Sequence, residues 1–228
     1  MPDRVAWPAV IAHRGASGYE YENSRAAFGR AVELGADGVE LDVHATADGV
    51  QLVHHDADLP GYGPIATHAW PDLQEARLPN GEPVPTLAES LQILQGLAVH
   101  VEVKTLAAGH DARLLAVLDA GPEPDRYRVH SFDHRIVARL GEQRPSLARG
   151  ILLASRPLDP VRLLRECGAS MLWQEHHLID TLLVESVQAA GAQVIAWTVN
   201  DSAIAQRLAL AGVAGLCGNF PDRLKPPI

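Results

Sequence analysis

Cysteine is nearly absent from this chain: Cys167 and Cys217 are the only two in 228 residues. They make neither a disulfide framework nor a zinc-ligand spacing, so both are expected as reduced core thiols. Aromatic residues are also scarce, at 5%, which leaves Ala, Leu and Val to fill the core. Long apolar runs are missing, and nothing approaches the ~20 residues needed to span a bilayer. The opening MPDRVAWPAVIAHRG is too short and too mixed for a secretory leader, so the sequence reads as cytoplasmic. Positive charge is in deficit. A net charge of −9 argues against a nucleic-acid or anionic-membrane surface, while leaving room for a local basic pocket. No Ser or Cys stands in a nucleophile motif, which argues against a covalent enzyme intermediate through those types.

What the chain does have is a rhythm. Strand-like runs at Ala9–Ala12, Gly38–Val43, the VHVEVK segment ending at Lys104, Tyr127–Phe132, ARGILLAS ending at Ser155, Ala169–Gln174, Ala192–Asn200 and Val213–Gly218 alternate with helix-like stretches. Helix signals mark the gaps between them. Ser24 is placed as an N-cap with Gly35 near the stop, Thr86 opens a Thr-x-x-Glu capping box, and Pro160 stands in a first turn. Gly49–Asp56 reads as a short extra strand pairing back through the Asp48-Gly49 turn, and Leu59–Pro85 as loop. Eight βα units in a chain of this length imply a (β/α)8 TIM barrel in one domain, residues 1–228, with a doubly wound open sheet as the alternative.

Charges fall at the ends of these strands, where a barrel of this kind builds its active site. Glu40 and Asp42 lie two apart, as do Glu102 and Lys104, so each pair shares one strand face. Leu41, Val43, Val101 and Val103 point the other way, into apolar packing. His13 and Arg14 follow the first strand; His55 and Asp56 end the extra one; Trp197 and Asn200 fall late on the seventh. Glu40, Asp42 and Glu102 make a hard oxygen site suited to one divalent ion, Mg²⁺ or Ca²⁺. His13 and His55 can serve as general acid and base near neutral pH. Arg14 and Lys104 can neutralise an anionic substrate oxygen. Together they fit phosphoryl transfer or phosphodiester cleavage. The other histidines singled out, His44, His54, His68, His110, His176 and His177, are expected at the surface.

In order and rough spacing, HRGAS, Glu22-Asn23-Ser24, ELDV, HHD and VEVK resemble the glycerophosphodiester phosphodiesterases. Ser131-Phe132, WTVN at Trp197–Asn200, and Pro221-Asp222 agree with the same family. The resemblance implies a TIM barrel, a divalent metal, and hydrolysis of glycerophosphodiesters to glycerol 3-phosphate and an alcohol. It implies His13 and His55 as the acid/base pair and Glu40, Asp42 and Glu102 as metal ligands. Arg14 and Lys104 would contact the phosphate, Glu22 and Asn23 would shape the glycerol and metal side, and Trp197 would line an apolar wall. Two departures stand out. The stretch ADLPGYGPIATHAW after Asp56 lacks the family's Arg-Thr-Thr-x-Gly, and Gly218-Asn219 replaces a late Thr-Asp. Both are expected to alter the rim rather than the metal site.

The implied substrate is a small glycerophosphodiester, with no nucleic acid and no stable membrane insertion. A lysophospholipase D-like activity and a non-catalytic binder of glycerol phosphates are the alternatives, and a binder would need no acid/base pair. A glycerol hydroxyl next to the phosphate is the expected nucleophile, since a tethered group has a high effective molarity.

Overall fold

The computed structural model describes residues 7–227. Eight parallel strands run β1 (Ala9–His13), β2 (Gly38–Ala45), β6 (Ala98–Thr105), β7 (Tyr127–Ser131), β8 (Ala148–Leu153), β9 (Met171–Glu175), β10 (Gln193–Trp197) and β11 (Gly215–Gly218). Each pairs with the next, and β1 pairs with both β2 and β11. That last pairing closes the sheet into a TIM barrel and excludes the open doubly wound alternative.

Helices α1 (Arg25–Glu33), α3 (Leu87–Ile93), α4 (Asp111–Ala120), α5 (His134–Gln143), α6 (Pro160–Cys167), α7 (Thr181–Ala189) and α8 (Ser202–Leu210) occupy the gaps between barrel strands. Their starts follow from local chemistry. Ser24 accepts from the Ala27 amide, Thr86 and Glu89 form the reciprocal capping box, and Asp201, rather than Ser202, caps α8. Such caps satisfy amides that a helix leaves without partners. In α1, Ala27, Phe28 and Ala31 face inward and are fully buried. Burying Phe28 contributes about 2–3 kcal/mol. The helix stops where Gly35 takes φ +64°, a conformation that glycine adopts freely.

Two layers of core result. Leu41, Val43, Val101 and Val103 pack outward against the helices, as their spacing predicts. Inside the barrel, Ile11, Leu152, Met171, Trp173, Ile195 and Cys217 form a plug. Both cysteines are buried and free.

Four readings of the sequence are corrected. The extra strand is only β3 (Gln51–Val53), antiparallel to β2. After it the His54 amide donates to Asp42 O and the chain bends away, so His55 and Asp56 lie beyond the strand rather than at its end. The seventh barrel strand, β10, stops at Trp197, which leaves Asn200 outside it. Leu59–Pro85 is not a bare loop. It holds the hairpin β4 (Asp58–Leu59) and β5 (Gly63–Pro64), a 3-10 turn at Ile65–Thr67 and α2 (Trp70–Leu73). These bury Leu59, Ile65, Leu73, Ala76, Leu78 and Val84 with Leu52 in a separate small core. Finally, His44, His54 and His176 are buried rather than at the surface. No helix among the described residues is long and apolar enough to cross a membrane.

Candidate active site

At the C-terminal rim of the barrel lies an open-mouthed cleft of about 110 Å³. Its lining combines the polar side chains of His13, Arg14, Glu40, His55, Glu102, Lys104 and His130 with the apolar ones of Phe132, Leu152, Trp173 and Trp197. Register explains the polar set. His13 pairs with Glu40 across β1 and β2, Asp42 pairs with Glu102 across β2 and β6, and Glu102 pairs with His130 across β6 and β7. Adjacent parallel strands thus deliver polar groups at nearly one height.

The carboxylates are not equivalent. Asp42 is fully buried and held by cations: Lys104 Nζ stands 3.1 Å from Oδ1 and Arg14 Nε 3.2 Å from Oδ2. Asn23 Nδ2 donates to Oδ2 at 2.8 Å. Burial opposes its charge, but Lys104 and Arg14 outweigh burial and keep the carboxyl below its usual range. Glu40 lacks such partners. Its Oε2 accepts from the Arg14 amide at 3.1 Å, while Oε1 is buried with no hydrogen-bond partner. Burial, with Asp42 and Glu102 nearby, pushes Glu40 well above the ordinary carboxylate range. Glu102, 2.8 Å from Lys104 Nζ, is pushed up to about 7 by burial and then by Asp42. Burying carboxylates this close is costly without a cation to neutralise them.

That cost has a chemical reading. An oxygen of Glu40, an oxygen of Glu102 and a ring nitrogen of His130 lie within 4.8 Å of one another. Hard oxygens with an open lone pair on Glu40 fit a divalent ion. Asp42 adjoins this trio, because Lys104 Nζ bridges its Oδ1 and Glu102 Oε1. A second trio, Glu175, His176 and His177, lies outside the cleft.

Both candidate acid/base histidines present an open Nε2. His13 Nδ1–H donates to Asn219 Oδ1 at 2.8 Å, with Nε2 3.9 Å from Glu40. Burial, then Arg14, lowers His13 to about 4, so the neutral ring prevails at pH 7. His55 Nδ1–H donates to Asp56 Oδ1 at 2.8 Å. Buried His44 supports that segment: Nε2–H donates to the His55 carbonyl at 3.0 Å, and Nδ1 is 3.0 Å from the Thr105 hydroxyl.

Arg14 and Asn23 both take positive φ, 55° and 56°, a conformation that costs a non-glycine residue energy and clusters at functional sites. The turn folds Arg14 back so that its side chain reaches Glu22 at 2.8 Å as well as Asp42. Glu22 and Asn23 are outside the cleft lining: Glu22 holds Arg14, which faces the cleft, and Asn23 holds Asp42 behind it. Trp197 does line it, edge-on to Phe132 with ring centroids 5.6 Å apart.

Two further groups stand outside the site residues read from the sequence. Asn219 orients His13 directly, and its amide is anchored on Asn200 Oδ1 at 2.8 Å. The late Gly218-Asn219 departure therefore touches a candidate acid/base residue instead of only the rim. His130 signals only by position, one residue before Ser131 at the end of a barrel strand.

The chain matches the model of the "Glycerophosphoryl diester phosphodiesterase family" over residues 13–223. It is 30% identical over 231 residues to a glycerophosphodiester phosphodiesterase from Caldanaerobacter subterraneus, covering 94% of this chain and 95% of that one. A Bacillus subtilis glycerophosphodiester phosphodiesterase is 27% identical, with 97% and 85% covered. Among solved structures, an Oleispira antarctica phosphodiesterase in complex with the product sn-glycerol-3-phosphate superposes with a TM-score of 0.89. It shares 26% identity, covering 96% of this chain and 95% of that one. With a closed barrel, a charged cleft at its C-terminal rim and a family match over almost its whole length, the chain belongs to the glycerophosphoryl diester phosphodiesterase family.

Proposed function

We propose that residues 1–228 act as one catalytic domain hydrolysing small glycerophosphodiesters to glycerol 3-phosphate and an alcohol. The reaction is metal-dependent, with His13 and His55 as the acid/base pair. The observation that carries this reading is the pairing of two open imidazole Nε2 atoms with an unpartnered buried carboxylate oxygen on one cleft. A non-catalytic binder would need neither histidine.

Glu40, Asp42 and Glu102 are the proposed ligands of one divalent ion, Mg²⁺ or Ca²⁺. Such an ion, when bound, supplies Lewis-acid polarisation of a phosphoryl oxygen. Arg14 and Lys104 contact the phosphate, and the charge they share with Asp42 keeps them in place. Glu22 and Asn23 hold Arg14 and Asp42 respectively. Trp197, with Phe132 against it, offers the departing alcohol an apolar wall.

One histidine takes the proton from the glycerol hydroxyl next to the phosphate at its Nε2. That hydroxyl oxygen bonds to phosphorus, the bond from phosphorus to the alcohol oxygen breaks, and the other histidine protonates the alcohol. The cyclic glycerol phosphate is then opened by water with the histidine roles reversed. The Asn219 and Asp56 contacts to Nδ1 fix the tautomers this exchange requires.

The test is incubation of Mg²⁺- or Ca²⁺-supplemented protein with glycerophosphocholine, glycerophosphoethanolamine and lysophosphatidylcholine, followed by enzymatic detection of glycerol 3-phosphate from the first two and of released choline from the lysolipid. Release from the first two supports the reading. Turnover of the lysolipid alone would make the enzyme lysophospholipase D-like, and binding without turnover of any would refute catalysis.

A further inference from the structure

His130 takes no part in that reaction, yet its surroundings are built around it. It is 1% exposed, and neither ring nitrogen has a hydrogen-bond partner. Its ring plane is fixed by Trp173, which stacks on it at 4.1 Å and 5°. Gly150, the cross-strand neighbour of His130 on β8, makes that stacking possible. A Cβ at Gly150 would lie 2.9 Å from Trp173 Cδ1. His100 closes the far side of the indole edge-on at 5.1 Å. Three residues therefore hold an imidazole that satisfies nothing in the protein. One of its nitrogens stands within 4.8 Å of oxygens of Glu40 and Glu102. A buried ring nitrogen left open beside the unpartnered Glu40 oxygen and the Glu102 carboxylate is placed for metal ligation, a common use of neutral imidazole.

We propose that His130 is a nitrogen ligand of the divalent ion assigned above to Glu40, Asp42 and Glu102, standing on the Glu40 and Glu102 side of it. Its presence biases the site toward ions that accept imidazole, such as Mn²⁺, Co²⁺ or Zn²⁺, over Ca²⁺. Calcium selects oxygen donors, whereas imidazole suits the borderline transition ions. This inference rests on the metal-dependent reading of the cleft and deepens it. The stacked indole serves as a positioning group, since a ligand ring held in one plane loses little freedom on binding.

The experiment uses Mn²⁺ as the probe on the full chain. Bound Mn²⁺ is counted by the loss of its free EPR signal, and electron spin-echo modulation reports ¹⁴N coupling to the ion. Wild-type protein is expected to bind Mn²⁺ with ¹⁴N modulation. His13→Gln should keep that modulation, and His130→Gln should lose it. His130→Gln should also narrow the preference for Mn²⁺ over Ca²⁺ by about tenfold or more. Modulation absent from wild type, or lost in His13→Gln and kept in His130→Gln, overturns the inference while the metal-dependent reading stands. Failure of wild-type protein to bind Mn²⁺, Mg²⁺ or Ca²⁺ overturns both. Should His130→Gln not fold, ¹⁵N-histidine labelling of a His13→Gln, His55→Gln double variant gives the same readout. Conversion of the ¹⁴N pattern to ¹⁵N supports His130 as the ligand, and an unchanged pattern overturns it.

Discussion

Glu102→Gln is expected to stabilise the chelator-treated protein and to weaken the metal-bound one. In the metal-free fold this carboxyl is moved from 4.5 to about 7 by burial and Asp42. At 1.36 kcal/mol per pKa unit, its ionised form costs the fold about 3 kcal/mol. The sign follows from proton linkage. Between pH 4.5 and 7 the folded state holds a proton that the unfolded state has lost, so stability falls as pH rises through this window. It is flat above pH 7, where both states are ionised. A glutamine amide carries no charge and can still accept from Lys104. The variant should therefore match wild type within about 1 kcal/mol at pH 5 and exceed it by about 3 kcal/mol at pH 8. For a domain of this size that is roughly 6–12 °C in Tm. Thermal unfolding in excess EDTA at pH 5, 6, 7 and 8 reads the difference directly. A wild-type-minus-variant gap that does not change with pH would refute the account of Glu102 as a repelled carboxylate.

Other perturbations separate chemistry from scaffold. His13→Ala and His55→Ala should each lower kcat by about 10²–10⁴-fold with Tm in EDTA little changed; full kcat in either would remove it from the acid/base pair. Glu40→Ala should abolish the rise in Tm that divalent ions give wild type, and a retained rise would place the ion elsewhere. A substrate analogue with hydrogen in place of the neighbouring glycerol hydroxyl should bind without turnover, and hydrolysis at the parent rate would exclude the cyclic route. Far from the cleft, Asp111 is buried and accepts two bonds from Arg139, at 2.7 and 2.8 Å. Asp111→Ala should cost about 3–5 kcal/mol in urea unfolding with kcat/KM unchanged.

The barrel was legible because each strand is a short apolar run bounded by a cap or a glycine, and the charged pairs alternate with aliphatics at period two. Glu40, Glu102 and His13 could be found that way, since strand ends are where this architecture gathers function. The 59–85 segment could not. Its short elements have little local propensity, and they form because Leu59, Ile65 and Leu73 share a core with Leu52 of β3. His44 falls just outside the second strand as read from the sequence, Gly38–Val43, and so is expected at the surface. The strand instead continues to Ala45, buried throughout, and β3 covers its end. His130 and Asn219 meet partners distant in sequence, so no local pattern marks His130, and Asn219 shows only as a departure from the family's motif.

The small core beneath α2 sets the two candidate acid/base histidines on different foundations. His13 closes a strand paired on both sides within the barrel, whereas His55 follows a three-residue edge strand tied to that satellite core. Regions with fewer long-range contacts open at lower free energy than the body of a domain. Amide exchange around Val53–Asp56 should therefore outpace exchange in β1 and β2. Warming would withdraw one half of the proposed acid/base pair while the barrel stays closed, so inactivation would run ahead of unfolding. The enzyme would lose its working temperature range at an edge segment that carries none of the proposed metal ligands.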